Sequence, residues 1–325
     1  MFKIALLGAG RIGAVHGVNV AAHDGLELTV IVDPDAPAAA ALAQKTGARQ
    51  GNLESVLADA AIRGVIIASP TRDHLEHVLR CAKAGKAVLC EKPIDLDLGR
   101  AQAAAPSLAG ARLLMGFNRR FDPHFAALES ALKAGNIGLL ESLHIVSHDP
   151  APPPPAYIAT SGGLFKDMAI HDFDMARWLL GEEPCEVFAA ASCLVDPAIG
   201  AAGDVDTART LLRTPSGRLC TISNSRRSGY GYDQRIEVFG STGMLRAGNL
   251  RQSTVEHWDA SGARSAPLEN FFLDRYRDAY RCELDHFADV LAGAEPLVGL
   301  DDAVAALTLA EAAGESAKTG RLVRV

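Results

Sequence analysis

Over the first third of the chain, short apolar runs alternate with helical stretches in a steady rhythm. Residues 2–7 form an apolar run that fits a strand buried on both faces. A helical pattern follows to about residue 22, then a strand over 26–32 and a helix over about 37–45 that Gly47 closes as a C-cap. Strands are predicted at 65–68, 87–90 and 112–115, with helices over 73–84 and from about 97. Strands that alternate with helices in this way predict a parallel sheet of α/β type.

The rhythm changes at about residues 117–123. Asp122-Pro123 reads as an N-cap and first helical position, opening a helix that ends near 134, before Gly135. A strand is expected over 140–147. Pro152 to Pro155 are excluded from a helix and from a central strand, and read as a stiff loop beside a site. A helix is expected over 166–180. Residues 186–258 are strand-like, with turns at Pro215-Ser216-Gly217 and Gly240-Ser241-Thr242-Gly243, and predict an open, mostly antiparallel sheet. Two helices, about 271–291 and 301–318, close the chain.

A length of 325 residues suits two domains. The net charge of −7, with signs interspersed, excludes the basic surface that nucleic acid or an anionic membrane requires. The first residues lack the pattern of a signal peptide, and no apolar run approaches the ~18 residues of a membrane span. Six dispersed cysteines without a C-x-x-C pair read as reduced residues of a cytoplasmic protein, and no metal site is expected.

Candidate chemistry begins at Gly8-Ala9-Gly10-Arg11-Ile12-Gly13, placed between a strand and a helix. Gly8 permits a tight turn, Gly10 lets backbone approach a pyrophosphate, and Gly13 allows close helix–strand packing. The helix N-terminus offers N–H groups to phosphates. Asp33 ends the next strand, 23 residues after Gly10 (33 − 10), near the spacing of a ribose-binding acid. A carboxylate there repels a 2′-phosphate and favours NAD over NADP. Two further loops fall at carboxyl ends of strands, where ligands of such sheets bind: Ser69 to His74, including Thr71, and Glu91-Lys92-Pro93. Asp167 and His171 are four residues apart, on one face if helical, and a carboxylate beside an imidazole makes a tuned proton acceptor. The plain alternatives are a glycine-rich turn, a solvated Lys92 and a helix-surface pair. Asp172 and Asp174 read as capping or packing residues, and His148 as a surface histidine.

These pieces together resemble the oxidoreductase family of glucose–fructose oxidoreductase and the inositol dehydrogenases. The match rests on the glycine motif with His16, on Glu91-Lys92-Pro93, on Gly116 to Asp122, and on Asp167 to Arg177. The runs Asn118-Arg119-Arg120-Phe121-Asp122 and Ile170 to Arg177 point to the inositol branch. The resemblance implies a Rossmann NAD-binding domain over 1–118. It implies a substrate-binding and oligomerisation domain of α+β type over 119–325, whose terminal helix could pack back on the first, and a homo-oligomer (dimer or tetramer) formed through outer sheet faces.

It also implies NAD-dependent oxidation of myo-inositol to the 2-keto-inositol, without a metal. His171 would accept the hydroxyl proton, Asp167 would hold the imidazole, and Lys92 would stabilise the reacting oxygen. The cofactor set is then Gly8, Gly10, Arg11, Ile12, Gly13, Asp33, Ser69, Thr71, His74, Glu91 and Lys92. Candidates for the remaining hydroxyls are Asn118, Arg120, Asp149 and one of Tyr230 or Tyr232. The alternatives are another inositol isomer, a pyranose or a sugar acid as substrate, and a non-catalytic dinucleotide sensor.

Overall fold

The computed structural model describes residues 1–325, apart from the Pro155 side chain, and the chain forms two compact units. The first comprises residues 1–121 and 279–305, and the second comprises 122–278 and 306–325.

In the first unit, β1 (Phe2–Leu7), β2 (Leu26–Val32), β3 (Arg49–Gln50), β4 (Ile62–Ile67), β5 (Ala87–Glu91) and β6 (Leu113–Gly116) form one sheet in the order β3-β2-β1-β4-β5-β6. All its pairs are parallel. The order reverses direction between β1 and β4, the switch point at which open α/β sheets take their ligands. The connecting helices are α1 (Arg11–Ala21), α2 (Ala36–Thr46), α3 (Leu53–Ala58), α4 (His74–Lys83) and α5 (Leu98–Ala104). Gly47 caps α2 in the left-handed region, at φ +77°, as its position predicts. The short β3 and α3 carry too little periodicity for sequence reading to find.

The second unit opens with α6 (Pro123–Lys133), where the Asp122 carboxylate accepts N–H bonds from His124 and Phe125, both at 3.1 Å. The same carboxylate takes a buried bond from Arg275. Its main sheet contains β7 (Leu140–His148), β8 (Glu186–Ser192), β9 (Thr207–Arg213), β10 (Leu219–Ser225), β11 (Asp233–Gly240) and β12 (Gly243–Ala247). With β15 (Val323–Arg324), the order is β12-β11-β7-β10-β9-β8-β15. Only the β7–β10 pair is parallel, so the sheet is mostly antiparallel, as the sequence implies. A separate hairpin joins β13 (Glu256–Asp259) to β14 (Gly262–Ser265).

Four expectations are corrected in the remainder of the chain. The last proline of the run does not stay in a loop: α7 (Pro155–Ser161) starts on Pro155, because a first helical position needs no N–H donor. The helix expected over 166–180 is a π turn, Phe165–Ala169, that passes into α8 (Ile170–Leu180). Within the strand-like stretch, Pro197–Ala201 forms the short helix α9, capped by Asp196. The helix expected over about 271–291 is two, α10 (Phe272–Arg275) and α11 (Arg277–Ala292), interrupted at Tyr276, whose hydroxyl donates to Gln234. The helix α12 (Leu300–Thr319) ends the helical part of the chain. Among the described residues, no helix is long and apolar enough to cross a membrane.

Asp206 holds the turn between β8 and α9. Its buried carboxylate accepts N–H bonds from Leu194, Val195 and Asp196 and a hydroxyl bond from Thr207. Burial alone would raise its pKa; the four donors outweigh this and bring it from 3.8 to about 2. Because the folded value lies below the unfolded one, this stabilisation is fully present above about pH 4 and is lost as pH falls through 2. Asp206→Asn should therefore cost about 2 kcal/mol at neutral pH and flatten the acid limb of a denaturant-melt series between pH 4 and 2. An unchanged acid limb would show that Asp206 is not responsible.

Candidate active site

The first unit supplies a nucleotide cradle. Gly8, at the end of β1, has φ +104°, and a Cβ on it would lie 2.3 Å from the carbonyl oxygen of Ala68 after β4. A Cβ on Gly13 would lie 2.0 Å from the carbonyl oxygen of Gly8. The turn thus packs backbone on backbone from both sides. Gly10 is the N-cap of α1; no side chain caps that end, and a Cβ at Gly10 would meet nothing within 4 Å. The helix start therefore leaves room for an anion at the positive end of its dipole. Arg11 and Ile12 begin α1 at the same place.

Asp33, just beyond β2, accepts the Ala9 N–H at 2.6 Å and the Asp35 N–H at 2.7 Å. A carboxylate has about four acceptor sites, so hydroxyl donors can still be taken. The open helix start, the uncapped Gly10 and this acceptor fit a dinucleotide with free ribose hydroxyls.

The loops after β4 and β5 are tied together by His74. Its Nδ1 lies 2.8 Å from the carbonyl oxygen of Pro93 and its Nε2 lies 2.8 Å from that of Ser69, and the ring is buried. Ser69 also bonds His77 through its hydroxyl, at 3.1 Å, and Thr71 starts a short 3-10 turn over Thr71–Asp73. His74 thus braces the loop that carries Lys92, which is half-buried and followed by a cis peptide bond to Pro93. Asn118 and Arg120 lie in the 3-10 turn Asn118–Phe121, both buried, and Arg120 is paired with Asp302 at 2.8 Å.

The second unit carries Asp167 and His171. Asp167 sits inside the π turn and His171 is the second residue of α8. The wider π turn replaces the regular α-helical stagger on which the spacing argument relied, and such turns recur at functional sites. Asp167 is held from two sides. The Tyr157 hydroxyl of α7 donates to its Oδ1 at 2.8 Å, and the Arg226 guanidinium lies 3.6 Å from its Oδ2. Arg226 is 1% exposed and lies equally close, at 3.6 Å, to Asp204. Sequence reading missed Tyr157, Arg226 and Asp204, since nothing in the spacing of 157, 204 and 226 ties them to 167.

Asp172 and Asp174 are structural, as expected. Asp172 is buried and accepts the Asn224 side-chain amide at 2.7 Å, which fixes α8 to β10; Asp174 is buried 3.8 Å from Arg177.

The remaining polyol candidates cluster at one end of the same sheet. Asp149 donates its backbone N–H to the Ser225 carbonyl. His148 is corrected: it is half-buried, with Nε2 on the Ser223 hydroxyl at 2.8 Å and Nδ1 3.5 Å from the Tyr230 hydroxyl. Burial lowers its pKa, with nearby Asp233 opposing. The two tyrosines part: Tyr230 is exposed and donates to Asp233 at 2.6 Å, whereas Tyr232 is buried edge-on against Tyr276.

Comparison with known proteins agrees with these halves. Residues 2–116 match the model of the oxidoreductase family with an NAD-binding Rossmann fold, and residues 125–246 match the GFO/IDH/MocA C-terminal domain. The chain is 46% identical to an inositol 2-dehydrogenase of Rhizobium meliloti, over 99% of each chain. It is 45% identical to a myo-inositol 2-dehydrogenase of Thermotoga maritima, over 99% of this chain and 98% of that one. The crystal structure of a myo-inositol dehydrogenase from Corynebacterium glutamicum superposes with a TM-score of 0.96 at 44% identity, covering 100% of this chain and 99% of that one. With both halves matched and full-length relatives well above the level at which families diverge, the chain belongs to the GFO/IDH/MocA family of NAD-binding oxidoreductases.

Proposed function

We propose that the protein oxidises a secondary ring hydroxyl of myo-inositol to the 2-keto-inositol, with NAD as hydride acceptor. The observation that carries the reading is Asp167, fixed by Tyr157 and Arg226 one turn before His171. It stands beside relatives of 45–46% identity that are inositol 2-dehydrogenases. In this reading His171 takes the hydroxyl proton at an imidazole nitrogen. Asp167 orients the ring and stabilises the imidazolium. Lys92 donates to the reacting oxygen and so stabilises its developing negative charge. Bound NAD supplies the acceptor carbon for the hydride, and Gly8, Gly10, Arg11, Ile12, Gly13, Asp33, Ser69, Thr71, His74 and Glu91 form its binding set.

Asn118, Arg120, Asp149 and one of Tyr230 or Tyr232 hold the other hydroxyls of the ring. An analogue lacking one of these hydroxyls leaves a buried group unpaired and is discriminated against. Residues 1–118 are the cofactor domain and 119–325 the substrate and oligomerisation domain in this reading. The six free, dispersed cysteines fit a cytoplasmic protein.

The homo-oligomer has physical support. One face of the main sheet leaves Phe188, Leu211, Leu219, Phe239 and Met244 between 39% and 46% exposed, and such apolar patches mark interaction surfaces. Light scattering should give a multiple of the chain mass; a monomer at micromolar concentration would remove this part of the reading.

Absorbance at 340 nm with NAD should rise on myo-inositol, more slowly on scyllo- and chiro-inositol, and least on glucose and xylose. Silence across the panel with NAD still bound would move the reading to another substrate or to a sensor. In the same assay Asp33→Ser should relax the preference for NAD over NADP, because the repelling carboxylate is gone; an unmoved ratio would free Asp33 of the ribose role. His171→Ala should lower kcat by ~10²–10⁴-fold with NAD affinity nearly intact, and undiminished turnover would refute its part.

A further inference from the structure

Three ionisable side chains meet at the end of β5, and only Glu91 among them has a place in the proposed cofactor set. His16 on α1 and Glu283 on α11 are both 0% exposed, and the side chain of Glu91, at the end of β5, is 13% exposed. One atom from each lies within 4.8 Å of the others. His16 Nε2 is 2.8 Å from Glu91 Oε1. Both carboxyl oxygens of Glu283 and the Nδ1 of His16 are buried without a hydrogen-bond partner among the described residues.

An ionised Glu283 in this position would be a desolvated charge without a donor, facing a second carboxylate. Each of these conditions is severe, and something must neutralise the group. Burial, and after it the charge of Glu91, push its pKa well above the ordinary carboxyl range. Either a proton or a cation could supply the compensation. A metal-bound imidazole almost always gives its second nitrogen to a carboxylate, carbonyl or water that orients it. His16 Nδ1 has no such protein partner, and its Nε2 is already committed to Glu91. The proton satisfies the cluster with fewer demands, because an un-ionised carboxyl gains a donor O–H that can face Glu91.

We infer that Glu283 stays un-ionised and shares its carboxyl proton with Glu91, so that the two acids carry one negative charge between them. Glu91 is then clamped by an imidazole N–H on one side and a carboxyl O–H on the other. The clamp fixes the strand end from which Lys92 follows. Glu283 is thereby a positioning residue that acts through Glu91. Its effect on turnover rests on the role proposed for Lys92; its protonation does not.

Infrared difference spectroscopy of the apoprotein at neutral pH tests the protonation without any turnover. The wild-type spectrum should contain the carbonyl stretch of an un-ionised carboxyl, shifted in D2O and missing in Glu283→Gln. Absence of that band from the wild type would overturn the inference. So would one equivalent of a divalent metal per chain, found by elemental analysis and lost in Glu283→Gln, which would make the cluster a cation site. Kinetics test the positioning role. Glu283→Gln, whose amide can still donate to Glu91, should keep kcat and NAD affinity within about twofold. Glu283→Leu, which fills the space without a donor, should lower kcat by about tenfold or more. Equal kcat in the two variants would refute positioning. If the Leu variant does not fold, the infrared band and the Gln variant still decide the inference.

Discussion

At Gly8, three backbone segments meet more closely than any side chain permits. The end of β1, the start of α1 and the residue after β4 crowd there so that even a methyl group on Gly8 or Gly13 would lie 2.0–2.3 Å from a carbonyl oxygen. This approach brings the uncapped start of α1 to the carboxyl edge of the sheet, beside the point where strand order reverses. The positions of Asp33, of the Ser69–His74 loop and of Lys92 follow from it, since each sits at the end of a strand paired in that sheet. Larger residues at Gly8 or Gly13 would separate these strand and helix ends and spread the cradle.

The second unit places its charges by a different rule. Asp122, Asp172 and Asp206 are buried, and each meets donors that suit a carboxylate: the Arg275 guanidinium, an asparagine amide, and a row of backbone N–H groups. Asp167 is less buried and is held by Tyr157 and Arg226, which reach it from α7 and from the segment after β10. A group held from several elements keeps its direction, as pre-organised chemistry requires. The π turn serves the same end, since it breaks the helical stagger only where Asp167 projects.

Much of this was legible in the residues. Strand–glycine–helix–strand–acid named the first unit, because a parallel strand must be apolar throughout and a tight turn must be glycine. Asp122 was recognisable as a cap, and Gly47 as a C-terminal stop, since both roles are local. Pro155 was misjudged because proline reads as a breaker inside a helix but is at home in its first turn. His148 was misjudged because its exposure depends on Ser223 and Tyr230, which reach it from elsewhere on the sheet.

The sequence by itself determined the periodic elements, the glycine turn, the capping residues and the acid–imidazole spacing, since each depends on interactions a few residues long. Only the tertiary structure decided that Arg226 and Tyr157 converge on Asp167, that His74 joins two loops, and that Glu283 faces Glu91. Apart from the five-residue step from His74 to Ser69, these contacts span from 10 to about 190 positions of chain and come from packing helices onto sheets, so no local spacing encodes them.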